Sequence, residues 1–386
     1  MPCVTTARAT EFKLTGSLGV EGRFFTEPAA NAEQHGHNAS LRLEPELYYE
    51  WKERGESVLF TPFLRLDQGD RNRTHFDVRD LSWVKAAAEW ELRLGVRRVF
   101  WGVAESNHLV DVINQTDLVE NIDIEDKLGQ PMANLALIKP WGTIDLFILP
   151  GFRERTFPSR TGRLRTAPRV DTEHATYESP ARDNHVDFAV RYSHVIGELD
   201  IGIYEFWGTS REPELHLGRS ASNELLFIPH YAIIAQTGVD ALYTHGSWAW
   251  KFESLFRSGQ GRDYGAMVAG FEYTLVGVVG SRYDLGLLAE YHVDTRGRHA
   301  PQAFNDDLFG GFRVGFNDAA DSQLLAGVVT DLHGGGSFYN VEASHRLGDR
   351  WKLELEARFF SSHRVTDPLH FVRSDDYVQV ELARFF

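Results

Sequence analysis

The sequence has one cysteine and three methionines among 386 residues, and no run of eighteen consecutive apolar residues. The last absence excludes a transmembrane helix, which needs about 20 predominantly apolar residues. The near absence of cysteine is compatible with an oxidising compartment without requiring one. Apolar residues at 42% and charged residues at 25% nevertheless indicate a folded chain rather than a disordered one.

Several motifs of enzymes are missing as well. No Gly-x-Ser-x-Gly, Gly-x-x-x-x-Gly-Lys, His-Glu-x-x-His or Cys-x-x-Cys-His occurs. Ser106, His108 and Asp111 lie close together in sequence, as do the serines and histidine of 361–363, but catalytic groups meet through the fold rather than along the chain. We therefore predict that the protein is not an enzyme and uses no cofactor. A net charge of -15 also argues against a nucleic-acid partner, because it repels a phosphate backbone.

Alternation with period two runs along most of the chain. Apolar residues at Phe12 and Leu14, for example, alternate with Lys13 and Thr15. This is the pattern of strands with one apolar and one charged face. It predicts eighteen strands, at 11–25, 39–52, 57–67, 75–88, 90–102, 132–140, 143–153, 185–196, 198–208, 224–237, 240–257, 263–277, 282–294, 307–317, 322–332, 337–347, 350–361 and 376–386.

The connections between these strands alternate in length. Short turns are predicted at ERGES, around Glu89, and at PWGT, IGE, TGVD, VVGSR, NDAAD and LGDR, whereas the intervening connections are mostly longer. Transmembrane β-barrels have one rim of short turns and one of long loops, together with an even strand count. We therefore predict an all-β, transmembrane, antiparallel up-and-down barrel of about eighteen strands, with sixteen as the alternative. A single barrel domain would span 11–386, with an inserted loop at 103–131, a long loop at 154–184, and the end of a signal or a tail at 1–10.

The last ten residues, YVQVELARFF, carry a resemblance to a known group of proteins. Phe386 follows apolar residues at alternate positions, Leu382, Val380 and Val378, with Arg384 as the exception. This pattern resembles the C-terminal strand of porin-type outer-membrane β-barrel proteins of Gram-negative bacteria. The resemblance implies an outer-membrane location, recognition by the barrel assembly machinery, contact with lipid and lipopolysaccharide, and periplasmic N- and C-termini. Trimers are possible.

If the apolar face of each strand meets lipid, the charged face lines the interior of the barrel. So many charges cannot be packed dry, because each unpaired buried ion costs several kcal/mol. A barrel of 16 to 18 strands leaves room for an aqueous channel. The basic residues predicted on this interior face or in its loops are Arg93, Arg97, Arg153, Arg155, Arg191, Arg313 and Arg358.

The connection at 103–131 is rich in acids. Its predicted acidic site consists of Asp111, Asp117, Glu120, Asp123, Glu125 and Asp126. The third loop of general porins folds into the pore, and by this resemblance we place 103–131 inside the barrel as a constriction. A solvated surface loop or a short amphipathic helix is the alternative. Calcium takes several carboxylates, but no Asp-x-Asp-x-Asp-Gly pattern supports such a site, so no metal is predicted.

The next long connection has the opposite charge. FRERTFPSRTGRLRTAPR, at 152–169, contains six arginines and one glutamate. Facing the acidic loop across a pore, these arginines would create a transverse field that acts on passing ions. Because arginine suits phosphate and carboxylate equally, they could instead bind lipopolysaccharide outside the barrel.

These features together predict a passive outer-membrane channel for small polar or charged solutes and ions. One alternative is an export conduit for an anionic polysaccharide or another substrate, working with periplasmic partners. Another is a non-conducting structural or surface-binding barrel.

Overall fold

A computed structural model describes residues 10–300 and 304–386. Most of the N-terminal tail predicted at 1–10 therefore lies outside the described residues. Within the described ranges, no helix combines the length and the apolar composition needed to cross a membrane. The helices are single turns at Lys52–Arg54, Arg182–Asn184, Val278–Gly280, Gly297–His299 and Pro368–Phe371.

Strands make up most of the described chain. They are β1 (Thr10–Phe25), β2 (His37–Trp51), β3 (Glu56–Asp67), β4 (His75–Ala86), β5 (Trp90–Arg97), β6 (Gln130–Lys139), β7 (Gly142–Pro150), β8 (Thr176–Tyr177), β9 (Val186–Ile196), β10 (Leu199–Thr209), β11 (Glu214–Arg219), β12 (Leu225–Tyr231), β13 (Ile233–His245), β14 (Trp248–Ser258), β15 (Tyr264–Leu275), β16 (Asp284–Asp294), β17 (Asp306–Gly315), β18 (Gln323–Asp331), β19 (Gly336–Leu347), β20 (Trp351–Ser362) and β21 (Tyr377–Phe385).

Eighteen of these strands form one closed antiparallel barrel. Each pairs with the barrel strands before and after it in sequence, and β1 closes the ring by pairing with both β2 and β21. The strands β8, β11 and β12 form a separate small sheet within the long connections. The predicted fold class and the strand count of eighteen are confirmed. Closure leaves no sheet edge unpaired, which a barrel surrounded by hydrocarbon requires.

One hairpin differs from the prediction. The segment predicted as the barrel strand 224–237 contains β12, which belongs to the small sheet, and the barrel strand is β13. The predicted turn TGVD is wrong, because these four residues lie inside β13 and the turn is at Gly246, whose φ is 59°. Gly238 serves packing rather than turning, since a Cβ there would lie 2.3 Å from the ring of Tyr204.

The two faces of the barrel wall have opposite character. On β14, Trp250 and Phe256 point outward with 47% and 54% of their surface exposed, whereas Glu253 and Arg257 point inward and are buried. The same arrangement recurs around the ring, with Phe12, Val20 and Phe188 among the exposed apolar residues. Exposed apolar surface on every side suits lipid rather than water.

The connections sort onto two rims as predicted. Within the described ranges, the short-turn rim has the connections 52–55, 87–89, 140–141, 197–198, 246–247, 276–283, 316–322 and 348–350. The long-connection rim has 26–36, 68–74, 98–129, 151–185, 210–232, 259–263, 295–305, 332–335 and 363–376. The start of β1 and the end of β21 lie on the short-turn rim.

The C-terminal strand closes the barrel against β1. The amide of Phe386 donates to the carbonyl of Gly16 at 3.1 Å, and the amide of Gly16 donates back at 3.0 Å. Val380 and Leu382 point outward with Arg384, the exception to the apolar pattern. The Arg384 guanidinium lies 5.7 Å from the ring centre of Trp351, so this outward cation is accommodated at an aromatic rim position.

Candidate functional site

The connection between β5 and β6, residues 98–129, is here named the crossing loop. One part of it is held by carboxylates that point inward from β14 and β16. Glu253 accepts hydrogen bonds from the amides of Val103 and Ala104 at 2.6 and 2.7 Å. Glu290 accepts from the amides of Glu105 and Ser106 at 2.7 and 2.9 Å. Backbone amides that would otherwise be buried without partners are thereby satisfied.

A second part of the crossing loop is held from β3 and β4. Asp117 pairs with Arg79 at 2.7 Å, and Glu120 pairs with Arg65 at 2.7 Å. All four side chains are at most 5% exposed. Breaking a buried pair of this kind by removing one partner costs about 3–5 kcal/mol.

The tip of the crossing loop is held from β20. Asp123 lies 3.1 Å from Arg358, and the Asn121 amide donates to Glu356 at 2.9 Å. The loop is therefore fixed to inward-facing side chains of strands on widely separated parts of the ring. This places it across the interior of the barrel.

Apolar side chains of the crossing loop pack on the wall as well. Val110, Val112 and Ile113 are at most 2% exposed and form a cluster with inward-facing residues of β6, β7, β9, β10 and β13. Phe147 and Tyr204 belong to this cluster. Wall and loop thus bury one another here, and this sector of the barrel is filled rather than open.

Two chambers remain on either side of the crossing loop. The inner chamber, toward the short-turn rim, has a volume of about 510 Å³ and is lined by charged side chains that include Arg42, Glu354 and Glu381. The outer chamber, toward the long-connection rim, has about 860 Å³ and a largely apolar lining that includes Phe309 and Phe338.

The two chambers come closest to one another on the wall opposite the filled sector, at a place here named the junction, where they share lining residues. Arg313 of β17, Leu325 of β18 and Glu342 of β19 line both chambers. Asp126 of the crossing loop lines the inner chamber, and Glu125 lines the outer one. The junction is therefore bounded by the wall on one side and by the loop tip on the other.

The chain has the porin fold. A BenF-like porin from Pseudomonas fluorescens Pf-5 superposes with a TM-score of 0.55 at 9% identity, covering 98% of each chain. OccK5 (OpdH) of Pseudomonas aeruginosa gives 0.54 at 10% identity, covering 98% of this chain and 97% of that one. OmpT, an outer-membrane protein of Vibrio cholerae in its trimer form, gives 0.50 at 10% identity over 98% and 100%. No family model and no curated protein matches the sequence.

Within this porin fold the six predicted acids fall into distinct groups. Asp117, Glu120 and Asp123 bind wall arginines. Asp111 instead accepts hydrogen bonds from the amides of Trp101 and Gly102, at 2.6 and 3.1 Å, and so shapes the crossing loop itself.

The remaining two acids lie next to the junction. The Glu125 side chain is 61% exposed, with its carboxylate 4.0 Å from Nε2 of His108. Burial, followed by the charges of Asp123 and Glu120, raises the pKa of Asp126 to about 7. Asp126 is therefore poised to change charge near neutral pH.

Most of the predicted basic residues are already bound to acids or carbonyls. Arg191 makes a two-fold contact with Asp240 at 2.6 and 2.8 Å. Arg93 binds Glu91 and Asn134, and Arg153 binds Asp77. Arg155 donates to the carbonyl of Arg211. Arg97 is half-buried on the inward face of β5. Arg313 differs from them because its side chain is 37% exposed at the junction, 2.8 Å from Glu105.

The arginine-rich segment 152–169 binds mainly to other long connections. Arg163 pairs with Asp375 at 2.5 Å, and Arg160 pairs with Glu33 at 2.9 Å. It meets the crossing loop where the Thr156 hydroxyl donates to Asp117 at 2.8 Å. The segment ties the long connections together and lies against the loop, and its Arg155 and Arg165 line the outer chamber together with Asp123 and Glu125 of the crossing loop.

Several anchoring residues were not among the predicted site residues. Arg73 is buried and binds Glu21 at 2.6 Å and Asp67 at 2.8 Å. The sequence did contain a signal for Arg73. It stands two positions before His75, which Asp77 and Arg79 follow at the same spacing, and so continues the row of polar residues on the inward face of β4. Arg211, which pairs with Asp187 at 2.6 Å, lies in a loop where no periodicity indicates its role.

The arrangement does not fit a serine hydrolase. The Ser106 hydroxyl lies 2.8 Å from Nε2 of His292 and 2.5 Å from Glu290. A catalytic relay places the acid on the second imidazole nitrogen, whereas here the acid binds the serine. The Ser106, His108 and Asp111 group noted in the sequence is not assembled either, because Asp111 binds backbone amides.

Two groups of possible metal ligands occur among the described residues. One is His75, Asp117 and Glu120, and the other is Asp123, Glu342 and Glu356. Arginines already compensate both groups, since Arg79 and Arg65 bind the first and Arg358 binds the second. A cation would have to displace these arginines.

Proposed function

We propose that the protein is an outer-membrane channel for passive diffusion of small polar or charged solutes. The observation that carries this proposal is the junction between the two chambers, where Arg313 and Glu342 face the crossing loop inside a closed barrel. A wall of eighteen strands leaves an aqueous interior. The charged lining of the inner chamber agrees with a hydrated path rather than a dry core.

The crossing loop would act as the constriction of this channel. Glu125 and Asp126 lie beside the junction, and the Asp123–Arg358 pair fixes the loop tip to the wall at 3.1 Å. Opposite charges on the loop and wall act on ions at close range. A loop anchored on several strands favours small solutes over a polymer, which supports diffusion more than the export alternative.

The orientation in the membrane belongs to the same proposal. Outer-membrane barrels have short periplasmic turns and longer extracellular loops. The short-turn rim, with both ends of the described chain, would then face the periplasm, and the arginine-rich segment would face the cell surface beside lipopolysaccharide. Val378, Val380, Leu382 and Phe386 would form the part of β21 that the assembly machinery reads.

Single-channel recording in planar bilayers tests the proposal. We would compare wild type with Glu125→Gln/Asp126→Asn in a KCl gradient, since both acids lie at the junction. Asp349→Asn, which removes an exposed acid on the short-turn rim, is the matched control. We expect steady openings whose cation preference falls in the double variant and is kept in the control.

Two other outcomes are informative. If the openings have the same ion preference in all three proteins, the channel function stands, but the crossing loop does not determine its selectivity. A correctly folded barrel that never conducts would contradict the channel and favour the non-conducting barrel.

A further inference from the structure

One polar patch interrupts the apolar outer face of the barrel. Glu205 of β10 and Thr237 of β13 are direct cross-strand partners, and the Thr237 hydroxyl donates to the Glu205 carboxylate. Both point outward, because Ile203 and Trp207 on the same face of β10 are 43% and 47% exposed while Tyr204 and Phe206 are buried inside.

A third polar side chain lies next to this pair. Ser254 of β14 points outward between Phe252 and Phe256, and it is paired with Val239, two residues from Thr237. Its hydroxyl makes no hydrogen bond within the part of the chain that the structure describes. The patch therefore combines a carboxylate that can accept further hydrogen bonds with a hydroxyl that is available to donate one.

Such a patch is unfavourable against lipid. A charged side chain on the lipid face of a barrel destabilises it in a depth-dependent way, and hydrocarbon supplies no hydrogen-bond partner. Glu205 has apolar neighbours both above and below it on β10, so it does not lie beyond the apolar band. Something other than acyl chains is expected to cover it.

The outer face beside the patch contains a groove of about 510 Å³. Its floor is made of small outward residues, Ala241, Ala269 and Ala289. Its walls are large ones, namely Tyr243, Trp250, Phe252, Phe271, Tyr291 and Leu308. Small and large residues alternate across the strands, since Phe252 lies between Ala241 and Ala269 in the cross-strand pairing.

We propose that this face, formed by β10 and β13–β16, is the contact surface between two copies of the chain. An isologous interface needs a self-complementary patch. This surface carries both partners of each expected contact. The aromatic side chains that wall the groove on one copy would pack into the alanine floor on the other. Glu205 of one copy would accept a hydrogen bond from Ser254 of the other.

The membrane adds a geometric condition that the patch meets. Copies inserted in the same orientation are related by an axis along the membrane normal, so residues at equal depth meet. Glu205 and Thr237 are cross-strand partners, and Ser254 lies within two residues of their register. Polar groups of one copy would thus meet those of the other, as hydrogen-bonding residues do between associated membrane segments.

Native mass spectrometry of the protein released from mild detergent tests the interface. We expect wild type to give a mass of two chains and Ala269→Trp, which fills the groove, to give the mass of one. Ala326→Trp is the matched control, because Ala326 points outward from β18, away from the patch, and this variant should keep the dimer. Glu205→Leu, which suits lipid, should shift the distribution toward the monomer.

Crosslinking in vesicles provides a second measurement. Cys3→Ser/Ala241→Cys should form a dimer with a bifunctional maleimide, whereas Cys3→Ser/Ala326→Cys should not. The heat-dependent gel mobility of each variant shows that the barrel has folded. Wild type that is monomeric in both measurements, a wild-type mass of three chains, or a dimer that survives Ala269→Trp would overturn the proposal. None of these outcomes affects channel conductance, so this proposal and the channel proposal can fail separately.

Discussion

Asp123 and Arg358 form the contact that fixes the crossing loop to β20, at 3.1 Å. The same guanidinium group of Arg358 also binds Glu342 and Glu356, at 2.7 and 3.2 Å. Arg358 is fully buried, although its carboxylate partners reach water. One arginine therefore compensates three acids and holds one of them at the tip of the loop.

Replacing this arginine should both weaken the fold and release the loop. In Arg358→Met three neighbouring carboxylates lose their common cation, and we expect a loss of about 1–2 kcal/mol, below the roughly 3–5 kcal/mol of a fully buried pair because water reaches the carboxylates. Urea unfolding in detergent measures the loss. Asp123→Asn removes one charge but keeps an oxygen acceptor, so it should cost much less while increasing the fluctuations of the open-channel current. Equal stability of Arg358→Met and wild type would contradict the assigned role.

Removing the exposed arginine at the junction should change ion preference. Arg313 lines both chambers and is 37% exposed. A unit charge about 4 Å from an ion contributes about 1 kcal/mol even in water, which corresponds to roughly a fivefold change in local ion population. Arg313→Gln should therefore shift the reversal potential toward cation preference. Arg350→Gln, which removes an exposed arginine from the short-turn rim, should leave the reversal potential unchanged. The same shift in both variants would assign the effect to net charge.

Ion preference should also depend on pH near neutrality. The pKa of Asp126 is raised to about 7, so this carboxyl is largely neutral at about pH 6 and charged at about pH 8. Cation preference should therefore increase as the pH rises through this range. Asp123, Glu120 and Asp117 face Asp126 together with Arg79, and the three acids oppose its ionisation. Asp126→Asn should reduce the pH dependence, measured as the reversal potential, and Glu125→Gln/Asp126→Asn should reduce it further, because burial also raises the pKa of Glu125 to about 7. A dependence that persists undiminished in the double variant would point to His108 instead.

The architecture of the barrel could be predicted because it depends on short-range pattern. Alternation fixes which side chains face out, and the lengths of connections fix the two rims, so the strand count was right despite one misplaced hairpin. The prediction of that hairpin was wrong at Gly238. A glycine is needed there because a Cβ would contact the ring of Tyr204, but in the sequence the same glycine resembles a turn residue. Tyr204 is 34 positions away in sequence, and no local pattern reports such a contact.

The candidate site could be predicted only in part. The acidity of the crossing loop is visible in the sequence, but the partner of each acid depends on which strands face one another across the interior. Asp111 and Asp123 look alike in the sequence, yet one binds amides of its own loop and the other binds Arg358. The Arg211–Asp187 pair joins a loop to the end of a strand and leaves no periodic signal at all.

The packing explanation of Gly238 makes a final prediction about stability. In Gly238→Ala the added methyl group would lie 2.3 Å from the Tyr204 ring, so the ring must move within a filled sector of the barrel. Overpacking of this kind costs about 1–3 kcal/mol, which urea unfolding of the folded barrel would show. Gly310→Ala is the matched control, since a Cβ at Gly310 of β17 would have no neighbour within 4 Å. If both variants are as stable as wild type, Gly238 does not serve packing, and its place inside β13 needs another cause. Gly238→Ala with Tyr204→Phe should stay destabilised, because the clash involves the ring as well as the hydroxyl.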